Sequence, residues 1–163
     1  MSVERCPCFT LGLAHRRVQR FFEEALSPLG LTVAQAHVLH ALFSQDQRQA
    51  KDLARELQVD AATLTPMLDR LERLGLVRRC PDPQDRRATR ICLEERAHRL
   101  RPAVETTLSG ATERLVSLYA PDEFATLMRL IQRLNLERLP PLAPVLSSET
   151  TISPAESNLE RTL

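Results

Sequence analysis

The chain has 163 residues, of which 43% are hydrophobic, 26% charged and 4% aromatic, with a formal net charge of +1. That length fits one domain with an added arm or tail, and the composition is neither collagen-like nor disordered throughout. No apolar run approaches the length of a membrane span, and Met1-Ser2-Val3-Glu4-Arg5 lacks the apolar stretch of a secretory signal, so a cytoplasmic protein is expected.

The first helical pattern runs from about Thr10 to Ser27, with Leu11, Ala14, Val18, Phe21, Phe22 and Ala25 at helical spacing, and Ser27-Pro28-Leu29-Gly30 stops it. Thr32 followed by Gln35 reads as a capping box that opens a second helix to about Phe43. Ser44 to Arg48 reads as a polar loop. A short third helix follows from Ala50 to Leu57, with Leu53, Ala54 and Leu57 inward. Asp60 is a suitable N-cap for a fourth helix from Ala61 to Leu74, which Gly75 ends. Pro66 conflicts with that pattern: either the helix starts near Thr63 or it is bent.

Two short strand patterns come next, Leu76 to Cys80 and Ala88 to Leu93, joined by the turn Pro81-Asp82-Pro83-Gln84-Asp85. They read as a hairpin, with Thr89, Ile91 and Leu93 on one face of the second strand and Arg90 and Cys92 on the other. A long helix from Glu95 to Tyr119 carries the stripe Leu100, Val104, Leu108, Ala111, Leu115 and Leu118, with Pro102 a candidate kink. A last helix starts at Pro121-Asp122 and carries Phe124, Leu127, Met128, Ile131 and Leu134. From Pro140 the pattern fades into a Pro-, Ser- and Thr-rich tail that is expected to be disordered.

Charge is unevenly spread. From Arg70 to Arg101 there are ten arginines against five acids, an excess of five that fits either a phosphate footprint or a solvated face. Cys6, Cys8, Cys80 and Cys92 form no Cys-x-x-Cys motif and have no zinc-finger spacing, and a structural disulfide framework is not expected in a cytosolic chain. Cys80 and Cys92 flank the hairpin and could lie opposite each other, but two unlinked strand cysteines are the simpler expectation. His37 and His40, three apart on one helix, could share a metal with His15, although such a pair is more often surface or cleft, and no metal site is expected. No Ser-His-Asp set, phosphate loop or carboxylate pair stands out, so neither an enzyme nor a cofactor is expected.

The fold class expected is mainly α with a small β-hairpin wing: a winged helix-turn-helix plus a helical dimerisation region. A helix admitted by the major groove reads base edges, and a charged hairpin beside it reaches phosphate or the minor groove. With its apolar stripe inward, the fourth helix would turn Ala62, Thr65, Pro66, Asp69, Arg70 and Arg73 toward DNA. Its small N-terminal residues would allow close approach.

Three segments are similar to the MarR family: Asp52-Leu53-Ala54-Arg55-Glu56-Leu57 through Leu64-Thr65, Leu68 to Val77, and Asp82-Pro83-Gln84-Asp85-Arg86-Arg87-Ala88. The family's usual Thr-x-x-Gly after the second wing strand is replaced by Glu94-Glu95-Arg96-Ala97. The resemblance implies a sequence-specific transcriptional regulator, a homodimeric repressor on a palindromic double-stranded operator. It divides the chain into an N-terminal arm (1–9), a MarR-like domain (10–138) and a tail (139–163). Within the domain, 10–27 and 95–138 would dimerise and 32–93 would form the winged helix-turn-helix. The residues implied for DNA binding are Ala62, Thr63, Thr65, Pro66, Arg70, Arg73, Asp85, Arg86, Arg87 and Arg90, with Arg87 entering the minor groove and Asp85 bracing the wing arginines.

Within the family, Thr63-Leu64-Thr65-Pro66-Met67-Leu68 and Cys8-Phe9-Thr10-Leu11 resemble the organic-hydroperoxide-sensing (OhrR-like) branch. That implies redox sensing at Cys8, with Cys6 the nearby second thiol, and a hydroperoxide or small aromatic effector. The branch's tyrosines are replaced by Gly12, Val33 and Ala36. His15, His37 and His40 are implied to line the effector cleft. The rival from another class is a winged helix that only contacts proteins; the arginine excess favours DNA.

Overall fold

The computed structural model describes residues 5–84 and 88–136. Among them the chain forms α1 (Pro7–Leu26), a 3-10 turn (Ser27–Leu29), α2 (Val33–Ser44), β1 (Arg48–Gln49), α3 (Ala50–Glu56), α4 (Ala61–Arg73), β2 (Val77–Pro81), β3 (Thr89–Leu93), α5 (Glu95–Val116) and α6 (Pro121–Leu136). No single helix among the described residues is long and apolar enough to cross a membrane. The segments 1–4, 85–87 and 137–163, which include the expected disordered tail, lie outside the described residues.

Local chemistry sets most of these boundaries. Thr32 accepts from the Gln35 backbone N–H at 3.3 Å while Gln35 Oε1 accepts from the Thr32 N–H at 3.0 Å, so the capping box is complete. Such a cap is worth about 1 kcal/mol. Asp60 accepts from the Thr63 N–H at 2.6 Å and opens α4. At the other end Gly75 sits at φ 65°. Its N–H donates to the Glu72 carbonyl and that of Leu76 to Leu71, which is a Schellman closure with Leu71 and Leu76 both buried.

The structure differs from the sequence reading at several boundaries. Proline is tolerated in a first helical turn, and α1 accordingly starts at Pro7, so the expected arm is shorter and Cys8 is helical. Helix α4 starts at Ala61, as expected from the Asp60 cap, rather than near Thr63, which puts Pro66 inside it. The lost bond leaves the Ala62 carbonyl without its helical donor, a cost of about 3 kcal/mol that burial of Leu64, Leu68 and Leu71 offsets. Pro102 lies within α5, which runs on to Val116.

The hairpin is in fact part of a three-stranded antiparallel sheet, ordered β1-β3-β2, because Arg48 and Gln49 pair with Ile91 and Arg90. As the central strand, β3 is flanked by β1 and β2, and Cys92 is buried along with Ile91 and Leu93 although they belong to opposite faces.

The core gathers Leu26, Val38, Leu39, Leu42, Leu53, Leu64, Leu71, Ile91 and Val104 from five helices and the sheet. Helix α2 is its axis; seven of its residues are buried, and His37 and His40 remain exposed. Arg101 on α5 lies over the Phe43 ring at 5.4 Å, and Arg114 over Phe21 at 5.8 Å. The long α5 stripe is only partly free. Val104 belongs to the core and Leu100 and Leu108 pack against it, whereas Leu118 is 73% exposed. The fold therefore covers the first half of the stripe, and α1 and the end of α5 leave Phe9, Leu11, Val18, Leu118 and Tyr119 exposed.

Helix α6 belongs to a second unit that begins at Ala120. Glu123 accepts from the Ala120 N–H at 2.9 Å, and Asp122 and Glu123 place negative charge at the positive end of the helix.

Candidate nucleic-acid interface

Burial of Leu64, Leu68 and Leu71 fixes the rotation of α4, and the opposite side is left to solvent. Ala62, Thr63, Thr65, Pro66, Arg70 and Arg73 are all exposed on it, so the structure brings these six expected DNA-binding residues onto one accessible helix. Thr65 Oγ1 donates to the Ala61 carbonyl at 2.7 Å, and Arg73 Nε to the Asp69 carbonyl at 3.3 Å. Asp69, also expected to face DNA, instead accepts from Arg79 Nη2 at 2.5 Å. Arg79 bonds Glu72 through its guanidinium as well, and its backbone N–H donates to Glu72 at 3.3 Å. These two carboxylates raise the Arg79 pKa above its already high ordinary value. The wing strand is thereby tied to α4.

A second tie holds the back of α4. Arg96 at the start of α5 donates to the Leu74 carbonyl at 2.8 Å, a cation at a helix C-terminus.

The wing is organised by a residue that sequence reasoning did not single out. Asp82 has a side chain only 1% exposed, and it accepts from Arg90 Nε at 2.8 Å, Gln49 Nε2 at 2.6 Å and the Gln84 N–H at 2.8 Å. Its own N–H donates to the Ala88 carbonyl at 3.1 Å and closes the tip. These donors, led by Arg90, hold the Asp82 carboxyl far below the usual carboxylate range. The signal was present in the turn Pro81-Asp82-Pro83, because aspartate in a turn accepts from the N–H two residues on. The strand pairing with Gln49 was not visible. Arg90, expected at DNA, is held by Asp82 and also reaches the Gln47 carbonyl at 3.4 Å. Asp85, Arg86 and Arg87 lie outside the described residues.

Cys80 and Cys92 are joined by a disulfide, contrary to the expectation of unlinked thiols. They are not opposite each other. The ladder pairs Cys80 with Arg90 and Cys92 with Arg78, so the two sit diagonally on one face. The register is two residues offset from a symmetric hairpin, which sequence symmetry about Arg86 could not reveal. Cys6 is the N-cap of α1 and Cys8 lies in its first turn; both thiols are free, and Cys8 is exposed.

The histidines divide. His15 and His37 line one cavity of about 640 Å³ with Val18, Phe22, Val33 and Met67. His40 lines a different cleft, beside Glu105 and Leu108. Partial desolvation, and then the charge of His40, lowers the His37 pKa from its ordinary value. Among the described residues, no group of three His, Cys, Asp or Glu side chains is placed to hold a metal.

Comparison with known proteins gives a consistent picture. A MarR family model matches residues 31–89. The chain is 31% identical over 127 residues to the HTH-type transcriptional regulator MgrA of Staphylococcus aureus, covering 76% of this chain and 84% of that protein. It is 33% identical over 95 residues to the organic hydroperoxide resistance transcriptional regulator of Bacillus subtilis, covering 58% of this chain and 65% of that protein. A mutant MarR from E. coli complexed with operator DNA has a TM-score of 0.72 at 30% identity, over 80% of this chain and 91% of that one.

Proposed function

The chain belongs to the MarR family of DNA-binding transcriptional regulators, and from that premise we propose that it is a cytoplasmic, homodimeric repressor of a palindromic operator, released by an oxidant or a small aromatic effector. The observation that carries the operator reading is the exposed side of α4, with Ala62, Thr63, Thr65 and Pro66 at one end and Arg70 and Arg73 at the other. The small side chains admit the helix to the major groove, and the arginines meet phosphate or guanine. By the family resemblance, Arg87 would enter the minor groove, Arg86 and Arg90 would add to DNA binding, and Asp85 would brace the wing arginines. The winged helix-turn-helix would occupy 32–93, with dimerisation through 10–27 and 95–138. The uncovered apolar residues Leu11, Val18 and Leu118 in those segments support this division.

Release has two candidate entry points. The cavity lined by His15, His37, Phe22 and Met67 has the size and apolar character of a small-ligand site, which His40 does not share. Cys8 is an exposed thiol in the first turn of α1, and Cys6 is two residues away. The likeness to a hydroperoxide-resistance regulator supports the oxidant route. The test is a mobility-shift assay on the DNA upstream of the protein's own gene, with and without cumene hydroperoxide, for wild type, Cys6→Ser and Cys8→Ser. Release of wild type but not of Cys8→Ser is expected. Equal release of both removes Cys8 from the mechanism, and absence of release in both leaves the cavity as the effector site.

A further inference from the structure

The wing carries a second pair of sulfurs, remote in sequence from Cys6 and Cys8. Cys80 on β2 and Cys92 on β3 have Cα atoms 6.3 Å apart, within the span that a disulfide bridges. Cys80 is partly exposed and Cys92 is 5% exposed, so a small reagent reaches Cys80 first. Their cross-strand neighbours are arginines: Arg90 opposite Cys80 and Arg78 opposite Cys92, bound to Asp82 and Glu94 respectively. The bond joins residues 12 apart in sequence, and the loop it closes contains Asp82.

We propose that Cys80 and Cys92 form a reversible dithiol–disulfide site that sets how firmly the wing is presented to DNA, with low-molecular-weight disulfides as its oxidants. The Cys80 thiolate attacks one sulfur of the small disulfide. That S–S bond breaks, and one small thiolate leaves and takes up a proton. Cys92 then gives up its proton and attacks the Cys80 sulfur of the mixed disulfide, and the second small thiol departs. The protein loses two electrons and two protons and the small disulfide gains both; excess small thiol drives the reverse.

The two forms differ in freedom rather than fold. The β2–β3 ladder and the Asp82–Arg90 pair hold the sheet without the bond. The disulfide additionally ties β2 to β3. A wing restricted before binding loses less entropy on docking, so the oxidised protein is the tighter DNA binder.

The test uses the full chain equilibrated over a series of reduced and oxidised glutathione mixtures, then alkylated, digested and mapped by mass. The Cys80 and Cys92 peptides should lose their alkylation together and appear as one linked species, lighter by two hydrogens than the pair. The oxidised form should bind the duplex from upstream of its own gene about threefold to tenfold more tightly than the reduced form. Cys80→Ser should bind like the reduced wild type in either buffer. Independent alkylation of the two peptides at every ratio overturns the proposal, as does equal affinity of linked and reduced wild type. A redox response of Cys80→Ser equal to that of wild type overturns it too, and transfers the effect to Cys6 or Cys8. If Cys80→Ser fails to fold, a Cys6→Ser/Cys8→Ser variant decides the matter: it should keep the wild-type redox response, and loss of that response overturns the proposal.

Discussion

Arg79 on β2 donates from Nη2 to Oδ1 of Asp69 on α4 at 2.5 Å, so this pair, together with Glu72 on α4, joins the wing to the exposed helix. Both groups are more than one-third exposed, and the pair is therefore worth about 0.2–1 kcal/mol in stability. Its larger effect is geometric, because it fixes the angle between two elements proposed to enter adjacent grooves. In a double-mutant cycle of Arg79→Ala and Asp69→Ala, urea denaturation should show a coupling in that range. DNA affinity should fall more steeply in each single variant than the stability change accounts for. A coupling of zero in both measurements would show that the contact orients nothing.

Gly75→Ala should lower stability by about 1–2 kcal/mol, since φ 65° at the end of α4 is a left-handed conformation in which a Cβ is strained. No heavy atom lies within 4 Å of the added Cβ, so the cost is conformational and not a clash. Gly75→Asn, which tolerates this region better, should recover part of it in the urea midpoint.

The helices were legible in the sequence because their caps are local: Thr32 with Gln35, Asp60 before α4 and Gly75 after it each act within a few residues. The exposed side of α4 followed from the spacing of Leu64, Leu68 and Leu71. What escaped depends on pairing between distant segments. The two residues of β1 carry no periodicity, and they become a strand only by lying against Ile91 and Arg90. Asp82 reads as an ordinary turn residue until Gln49, 33 positions earlier, is brought to it. The Cys80–Cys92 bond depends on a register that the hairpin's sequence symmetry misplaces. Of the arginines expected at DNA, Arg90 is paired with Asp82 within the wing, a contact that spacing alone could not show.

Asp82 should make the wing acid-sensitive. Its carboxyl is held far below the ordinary carboxylate value of about 3.9 by Arg90, the Gln84 N–H and Gln49. Between those values the unfolded chain binds a proton that the folded wing does not, so this contribution is complete above the ordinary value and is lost as pH falls toward the folded one. Asp82→Asn should be less stable than wild type at neutral pH, and the gap should narrow as pH drops from about 5 to 3. Urea midpoints measured across that range check it; a gap that stays constant would mean that the Asp82 charge plays no part.

Arg70 offers the sharpest test of which residues meet DNA. It is exposed in the last turn of α4, and no acidic side chain is recorded against it among the described residues, unlike Arg79 and Arg90. A phosphate contact releases condensed counterions, so Arg70→Ala should reduce the slope of log affinity against log salt by about one unit and weaken all duplexes alike. A contact to a guanine edge should instead cost about 1–3 kcal/mol at one base pair and leave other sequences little changed. Arg20→Ala on α1, where the guanidinium is 82% exposed and pairs with Glu24, serves as the control and should leave both quantities at their wild-type values. Salt titrations on the upstream duplex and on a scrambled one separate the two modes. If Arg70→Ala tracks the Arg20→Ala control on both duplexes, Arg70 does not touch DNA, and the reading side of α4 must be centred on its N-terminal residues.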